Sequence, residues 1–188
     1  MTQSSIVGKV VGVPTCPDPH HTGLRFSIDT GTARHDFGVC GHSEFEQSPL
    51  AALAMSAALA AAAQRGFDVQ VIYDQEFPHV ALAIELPYPN PNHPAQGGDT
   101  LSNPYRERVN TMTVFDFGGG PGIETELSWA GASGSIYFGS TDAEQVVEWA
   151  TLLARAVTLD AQVTVDWTLP MRNADRLINK LTLDESSL

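Results

Sequence analysis

Two stretches, LRFSIDTGTARHDFGV (Leu24 to Val39) and TELSWAGASGSIYFGS (Thr125 to Ser140), decide the fold because they share one pattern. In each, an alternating strand leads through a Gly-containing turn into a returning strand, and Phe37-Gly38 falls on Phe138-Gly139 at an offset of 101 residues. A helical stretch and a short alternating strand then follow in both places. Those strands, VQVIYD and VTVDWT, lie 94 residues apart. A shrinking offset is what two copies with different loop lengths give, so the sequence predicts an internal duplication.

Composition describes a folded, acidic protein. The 188 residues carry 22 acidic and 10 basic side chains, a net charge of −12. Phosphate binding needs clustered cations, so we expect no nucleic-acid partner. The longest low-polarity run, residues 49–63, is too short and too rich in alanine to span a bilayer, so we expect no membrane insertion. The N-terminus lacks the pattern of a signal peptide, which leaves a cytoplasmic protein or the mature form of a secreted one as the expectation.

Each copy is predicted to contain three strands, a helix and two strands. In the first copy the helix is expected to run from Pro49 to Arg65, because Ser48 can cap its free amide groups and proline suits the first helical position. Gly66 is the expected helix stop. In the second copy, the run from Thr141 to Glu144 fits a capping box. The predicted fold class is mainly β with one helix per repeat (α+β), in the order βββαββ.

The copies define the predicted domains. Residues 1–86 form the first repeat and residues 109–188 the second. Residues 87–108 between them hold five prolines and two glycines, which is typical of a linker.

The order βββαββ is that of the OB-fold, a five-stranded Greek-key barrel, so we expect two tandem OB-like five-stranded barrels. The first copy also resembles the B subunits of AB-type bacterial toxins, which are OB-folds that assemble as pentamers. The resemblance rests on Phe37-Gly-Val-Cys40, on the helix Pro49 to Arg65 and on Gly66 to Asp74. It covers Ile6 to Leu86 and, more faintly, Thr111 to Leu183. It implies glycan binding, but the sugar-contacting residues of that family do not map onto this chain.

Two cysteines, Cys16 and Cys40, are the only ones in the chain. They are expected at the start of the loop after the first strand and at the end of the third, which suits a disulfide; two separate thiols are the alternative. A metal site is a further alternative, because zinc accepts mixed thiol and imidazole ligands, although the spacings match no standard zinc module. That set comprises Cys16, His20, His21, Cys40 and His42. The leading expectation is no metal and no cofactor.

A recognisable nucleophile motif is missing, so we assign no catalytic residue and expect a non-enzymatic protein. Trp129 is the candidate binding residue, because it ends a predicted strand beside Gly131 and an exposed indole can stack on a sugar face. Trp149 lies on the predicted buried stripe of the second helix and is expected in the core.

The leading functional hypothesis is a non-enzymatic binding module, similar to toxin B subunits, that recognises carbohydrate or a cell-surface partner. A structural or assembly protein of a secretion system or phage tail is the alternative, and a metal-dependent enzyme using the Cys/His cluster is the second. The expected partner is a glycan or a protein. A homo-oligomer is also expected, through edge strands such as HVALAIEL, residues 79–86, where only Glu85 carries charge against pairing.

Overall fold

The computed structural model describes residues 2–15, 23–39, 48–86, 105–116, 122–127, 136–138, 143–168 and 177–184. The first repeat contains β1 (Gln3–Thr15), β2 (Leu24–Asp29), β3 (Arg34–Val39), α1 (Pro49–Arg65), β4 (Asp68–Asp74) and β5 (Ala81–Leu86). The second repeat contains β6 (Tyr105–Phe115), β7 (Gly122–Leu127), β8 (Ile136–Phe138), α2 (Ala143–Leu159), β9 (Gln162–Thr168) and β10 (Leu177–Asp184). The predicted mainly β, α+β fold class and the order of elements are confirmed.

Helix α1 begins and ends where local sequence predicts. Ser48 adopts an extended conformation, with φ −70° and ψ 132°, and its hydroxyl accepts a hydrogen bond from the Leu50 N–H. Pro49 occupies the first turn, where its missing N–H costs nothing. Gly66 ends the helix in the left-handed conformation, with φ 67° and ψ 29°, and its N–H donates to the Ala62 carbonyl.

The buried face of α1 differs from the stripe that its sequence spacing predicts. Leu50, Leu53, Ala54, Ala57 and Ala61 recur at helical spacing and are expected to face inward, but Leu53 is 56% exposed. The side chains that are buried are Ala51, Ala52, Ala54, Met55, Ala58, Leu59, Ala61 and Ala62. A run of alanines carries little periodicity, so the sequence does not define one face, and contact with α2 buries a second side of the helix.

The offset of 101 residues for the hairpins is wrong. Leu24 lies opposite Val39, but Thr125 lies opposite Ile136 and not Ser140. The strand registers give an offset of 99 instead.

The offset of 94 residues is confirmed from the helices onward. Both helices have 17 residues, and β4 and β9 both have seven residues, with starts 94 positions apart. The chain leaves each helix through a left-handed residue, Gly66 with φ 67° and Asp160 with φ 55°. The residue after each, Phe67 or Ala161, donates its N–H to a carbonyl in the last turn of its helix. The two helix ends therefore share one geometry, although only one of them uses glycine.

A cation from the first strand of each repeat lies at this helix end. Lys9 and Arg108 lie opposite the first residues of β4 and β9. The Lys9 ammonium donates to the Gly66 carbonyl at 2.8 Å and pairs with Asp68 at 3.4 Å. Arg108 pairs with the Asp160 carboxylate. Positive charge is favourable at a helix C-terminus, so both repeats use the same electrostatic contact.

The strands are joined edge to edge in the order β3-β2-β1-β4-β5-β6-β7-β8-β10-β9, and β9 also pairs with β6. Almost all pairs are antiparallel, and a β-bulge interrupts the β4–β5 ladder after Ile72 and the β9–β10 ladder before Lys180. β6 begins at Tyr105, inside the segment predicted as a linker, because the sequence YRER contains no turn residue and pairs with β9. The closure of each repeat into a barrel stays a prediction.

Strand β5, which we expected to offer an open edge, is paired on both sides. It lies between β4 and β6, and Ala83 to Leu86 lie opposite Met112 to Phe115. Its apolar residues find their neighbours within the chain, so self-association, which stays a prediction, would use other surfaces.

A buried carboxylate connects the two repeats. Asp116, directly after β6, is fully buried. Its backbone N–H donates to the Leu82 carbonyl at 2.9 Å, and its Oδ2 accepts from the Ser48 N–H at 2.6 Å. A negative charge is thereby held at the N-terminus of α1, the end that favours it.

Candidate functional site

The cysteine and histidine candidates and Trp129 lie outside the described residues. The disulfide, the alternative metal set and the stacking residue therefore stay predictions; these are Cys16, Cys40, His20, His21, His42 and Trp129. Trp149, by contrast, is 4% exposed and lies in the core as expected. Within the described ranges, no group of three or more His, Cys, Asp or Glu side chains is arranged to hold a metal ion. No described helix has the length and apolar character needed to cross a bilayer.

A cluster of polar side chains lies on the outer face of the β2–β3 hairpin. Leu24, Phe26 and Ile28 alternate along β2 and point into the core. Ser27 belongs to the opposite face and lies directly across from Asp36 of β3. The hairpin register therefore places a hydroxyl and a carboxylate side by side on the outer surface.

Arg34 completes this arrangement. The Ser27 hydroxyl donates to Asp36 Oδ1 at 2.5 Å and accepts from the Arg34 guanidinium at 2.8 Å. Arg34 Nε also lies 3.5 Å from Asp36 Oδ1. Ser27 is buried because these two side chains cover it, while the Asp36 side chain remains 77% exposed.

Hydrogen bonding stabilises the charged form of Asp36. The hydrogen bond from Ser27 lowers the pKa of Asp36 below its ordinary value, and the positive charges of Arg34 and His79 act in the same direction. Partial desolvation opposes them. The carboxylate is therefore ionised, and available as an acceptor, over a wider pH range than a free aspartate.

The loop between β4 and β5 borders this cluster. Its His79 carbonyl accepts a hydrogen bond from the Gly38 N–H at 2.7 Å, and Val80 forms a bridge with Gly38. The exposed imidazole Nδ1 lies 3.4 Å from the Asp36 carbonyl oxygen. Together these contacts hold the histidine beside the hairpin.

We call this surface the β2–β3 patch: Arg25, Ser27, Arg34, Asp36 and His79. It does not form a serine–histidine pair, because His79 contacts the Asp36 backbone and not the Ser27 hydroxyl, which donates to the Asp36 carboxylate. The patch instead presents a guanidinium, a carboxylate and an imidazole, held by one another, to solvent.

Sequence reasoning missed the patch, although part of its signal was present. The predicted turn is confirmed: Asp29 accepts from the Gly31 N–H at 2.8 Å, and Gly31 has φ 82°. Counting outward from this turn places Ser27 opposite Asp36. No local pattern brings in His79, which is separated from Asp36 by 43 residues.

A shallow groove lies between α1 and α2. Its volume is about 430 Å³, and it is lined by Ala57, Ala60, Ala61, Gln64, Thr151, Ala154, Arg155, Thr158 and Leu159. Five of these side chains are apolar, and the four polar ones include no carboxylate or imidazole, whereas the β2–β3 patch combines both with a guanidinium. The β2–β3 patch is therefore the stronger candidate site.

No protein-family model matches the chain, and searches of curated proteins and of solved structures find no match either.

Proposed function

We propose that this chain is a non-enzymatic binding module of two joined OB-like barrels, and that its β2–β3 patch recognises carbohydrate or a polar group on a cell-surface partner. The observation that carries the proposal is the position of the patch. It lies on strands two and three of the repeat, next to the loop between strands four and five, which is the ligand-binding region of OB-folds.

The pattern of strand pairing supports the OB-like part of the proposal. In the second repeat the pairings run in a cycle from β6 through β7, β8, β10 and β9 back to β6. In the first repeat β3 and β5 lie at the two ends of the equivalent strand order, and the Gly38–Val80 bridge brings them together.

The chemistry of the patch favours a neutral, hydroxyl-rich ligand. An exposed carboxylate accepts hydrogen bonds from hydroxyl groups, and a guanidinium donates several in a fixed fork, so Asp36 and Arg34 can hold neighbouring hydroxyls of a sugar. The net charge of −12 disfavours polyanionic ligands. Trp129 remains the proposed stacking residue.

A glycan array tests the proposal. Wild type should bind a defined set of glycans, and Arg34→Ala combined with Asp36→Asn should lose at least about tenfold in affinity, since each removes a charge-assisted hydrogen bond. Arg65→Ala combined with Glu148→Gln, which changes exposed charges on the two helices and not on the patch or its bordering loop, is the matched control. Equal binding by the patch variant and the control would contradict the assignment of the patch, and a wild type that binds no glycan would contradict the carbohydrate class.

An assembly protein is the second candidate, favoured by the β5–β6 ladder. This ladder shows that strand edges of this chain can join one repeat to another. Light scattering separates the candidates: a defined multimer without glycan binding would favour assembly, and a glycan-binding monomer would contradict it.

A further inference from the structure

The contact between the two repeats, which we call the joint, consists of two layers. β5 pairs with β6, and α1 packs against α2. The first repeat contributes α1 and β5, and the second contributes α2 and β6. Because the repeats have equivalent elements, each half of the joint has a counterpart on the other repeat that the joint itself does not use.

The helices use different sides in the joint. Four equivalent positions are buried in both helices: Ala52, Met55, Leu59 and Ala62 in α1, and Val146, Trp149, Leu153 and Ala156 in α2. Beyond this shared core face, α1 additionally buries Ala51, Ala54, Ala58 and Ala61, whereas α2 additionally buries Ala150, Ala154, Val157 and Thr158. These additional sets occupy different positions in the repeat, so the contact is head-to-tail rather than two-fold symmetric.

The second helix carries charges where the first has its alanine stripe. Ala54 and Ala61 of α1 are buried, but the equivalent residues 94 positions later are Glu148 and Arg155, both exposed. Arg155 also lines the groove beside α1, whereas Glu148 does not. A further helix on this side would therefore have to bury the Glu148 carboxylate, which is costly unless it is paired.

In the strand layer of the joint, β6 and the residue after it direct backbone N–H groups toward β5. The Asp116 N–H donates to the Leu82 carbonyl. Because N–H groups alternate in direction along an antiparallel strand, those of Met112 and Val114 also point toward β5. The same edge in the first repeat belongs to the end of β1. Val10, which follows Lys9, lies opposite Ile28, and Val109, which follows Arg108, lies opposite Leu127. Three residues back along each partner strand, Arg25 lies opposite Thr15 and Glu124 lies opposite Thr113, so Thr15 is equivalent to Thr113.

Proline blocks that edge of the first repeat. With Thr15 at the position of Thr113, Pro14 takes the position of Met112, and proline has no N–H to donate.

On the other repeat, Ala83 of β5 is buried in the joint, whereas its equivalent on β10, Lys180, is exposed. A lysine on an outer strand is a common deterrent to edge pairing.

We infer that the joint is used once per chain and is capped at both ends, so that the tandem is a closed pair and not a link in a longer head-to-tail assembly of copies. Pro14 caps the edge of the first repeat that the joint does not use, and Glu148 and Lys180 cap the equivalent surface of the second. The inference is independent of what the β2–β3 patch binds.

Replacing the cap residues with the equivalent residues of the joint tests this inference. The uncapped variant combines Pro14→Met, Glu148→Ala and Lys180→Ala, each copying the equivalent residue of the joint. By light scattering, wild type should have a monomer mass of 20.2 kDa, and the uncapped variant should show masses at multiples of it that grow with concentration. The control, Pro78→Met, Glu76→Ala and Arg65→Ala, replaces a proline, an acidic and a basic residue away from the caps and should remain monomeric.

A reciprocal pair of variants keeps the inference testable if the uncapped variant folds poorly. Ala54→Glu copies the cap residue into the joint and should lower the Tm by roughly 5–10 °C, because it buries an unpaired charge. Glu148→Ala, at the equivalent exposed position, should leave the Tm nearly unchanged. A tolerated Ala54→Glu, a folded uncapped variant that stays monomeric, or a wild type whose multimers grow with concentration would each overturn the inference.

Discussion

Replacing Asp116 with alanine should remove a buried hydrogen bond between the second repeat and the start of α1. The carboxylate is fully buried and accepts the Ser48 N–H at 2.6 Å, a charge-assisted hydrogen bond whose loss leaves a donor without that partner. Such a bond contributes about 1.5–3 kcal/mol. The favourable charge at the helix N-terminus adds about 0.3–1 kcal/mol. We therefore expect Asp116→Ala to lower the free energy of unfolding by about 2–4 kcal/mol.

Urea unfolding followed by far-UV circular dichroism measures this loss directly. In a thermal melt it corresponds to a fall in Tm of roughly 5–15 °C for a chain of this length. Asp116→Asn is the matched control, because it keeps an acceptor oxygen and removes the charge, and it should fall between wild type and alanine. A loss below about 1 kcal/mol for Asp116→Ala would refute the claim that this carboxylate ties the repeats together.

Three further changes test the strand contacts and helix ends. Gly8→Ala should destabilise by roughly 1–3 kcal/mol in a thermal melt, because the new Cβ would lie 2.3 Å from the Asp29 carbonyl oxygen; unchanged stability would contradict this close approach. Gly66→Ala should cost about 1 kcal/mol, since φ is 67° there, and a neutral result would contradict the left-handed helix end. Ser27→Ala should lose stability in a pH-dependent way. The folded pKa of Asp36 is lowered, so its contribution is present above the unfolded pKa of about 3.9 and is lost as pH falls through the folded value. The difference between wild type and Ser27→Ala should therefore shrink below about pH 4, and a constant difference would refute the role of the hydrogen bond.

Local sequence determines the elements of this protein. The Ser48-Pro49 start and Gly66 end of α1 follow from capping and backbone preferences within a few residues. The register of the β2–β3 hairpin follows from its turn at Gly31, and the offset of 94 residues predicts both helices and the strands after them. These features depend on neighbours along the chain, so the sequence contains enough information to place them.

Only the tertiary structure decides which faces meet. An alanine-rich helix has no single apolar stripe, so the burial of Ala54 and Ala58 against the second repeat depends on where α2 packs. The contact of His79 with Asp36 spans 43 residues, and that of Asp116 with Ser48 spans 68. No periodicity encodes such contacts, because they form where strands and helices from distant segments are packed together. The candidate site and the joint are therefore products of packing, built from elements that the sequence places one by one.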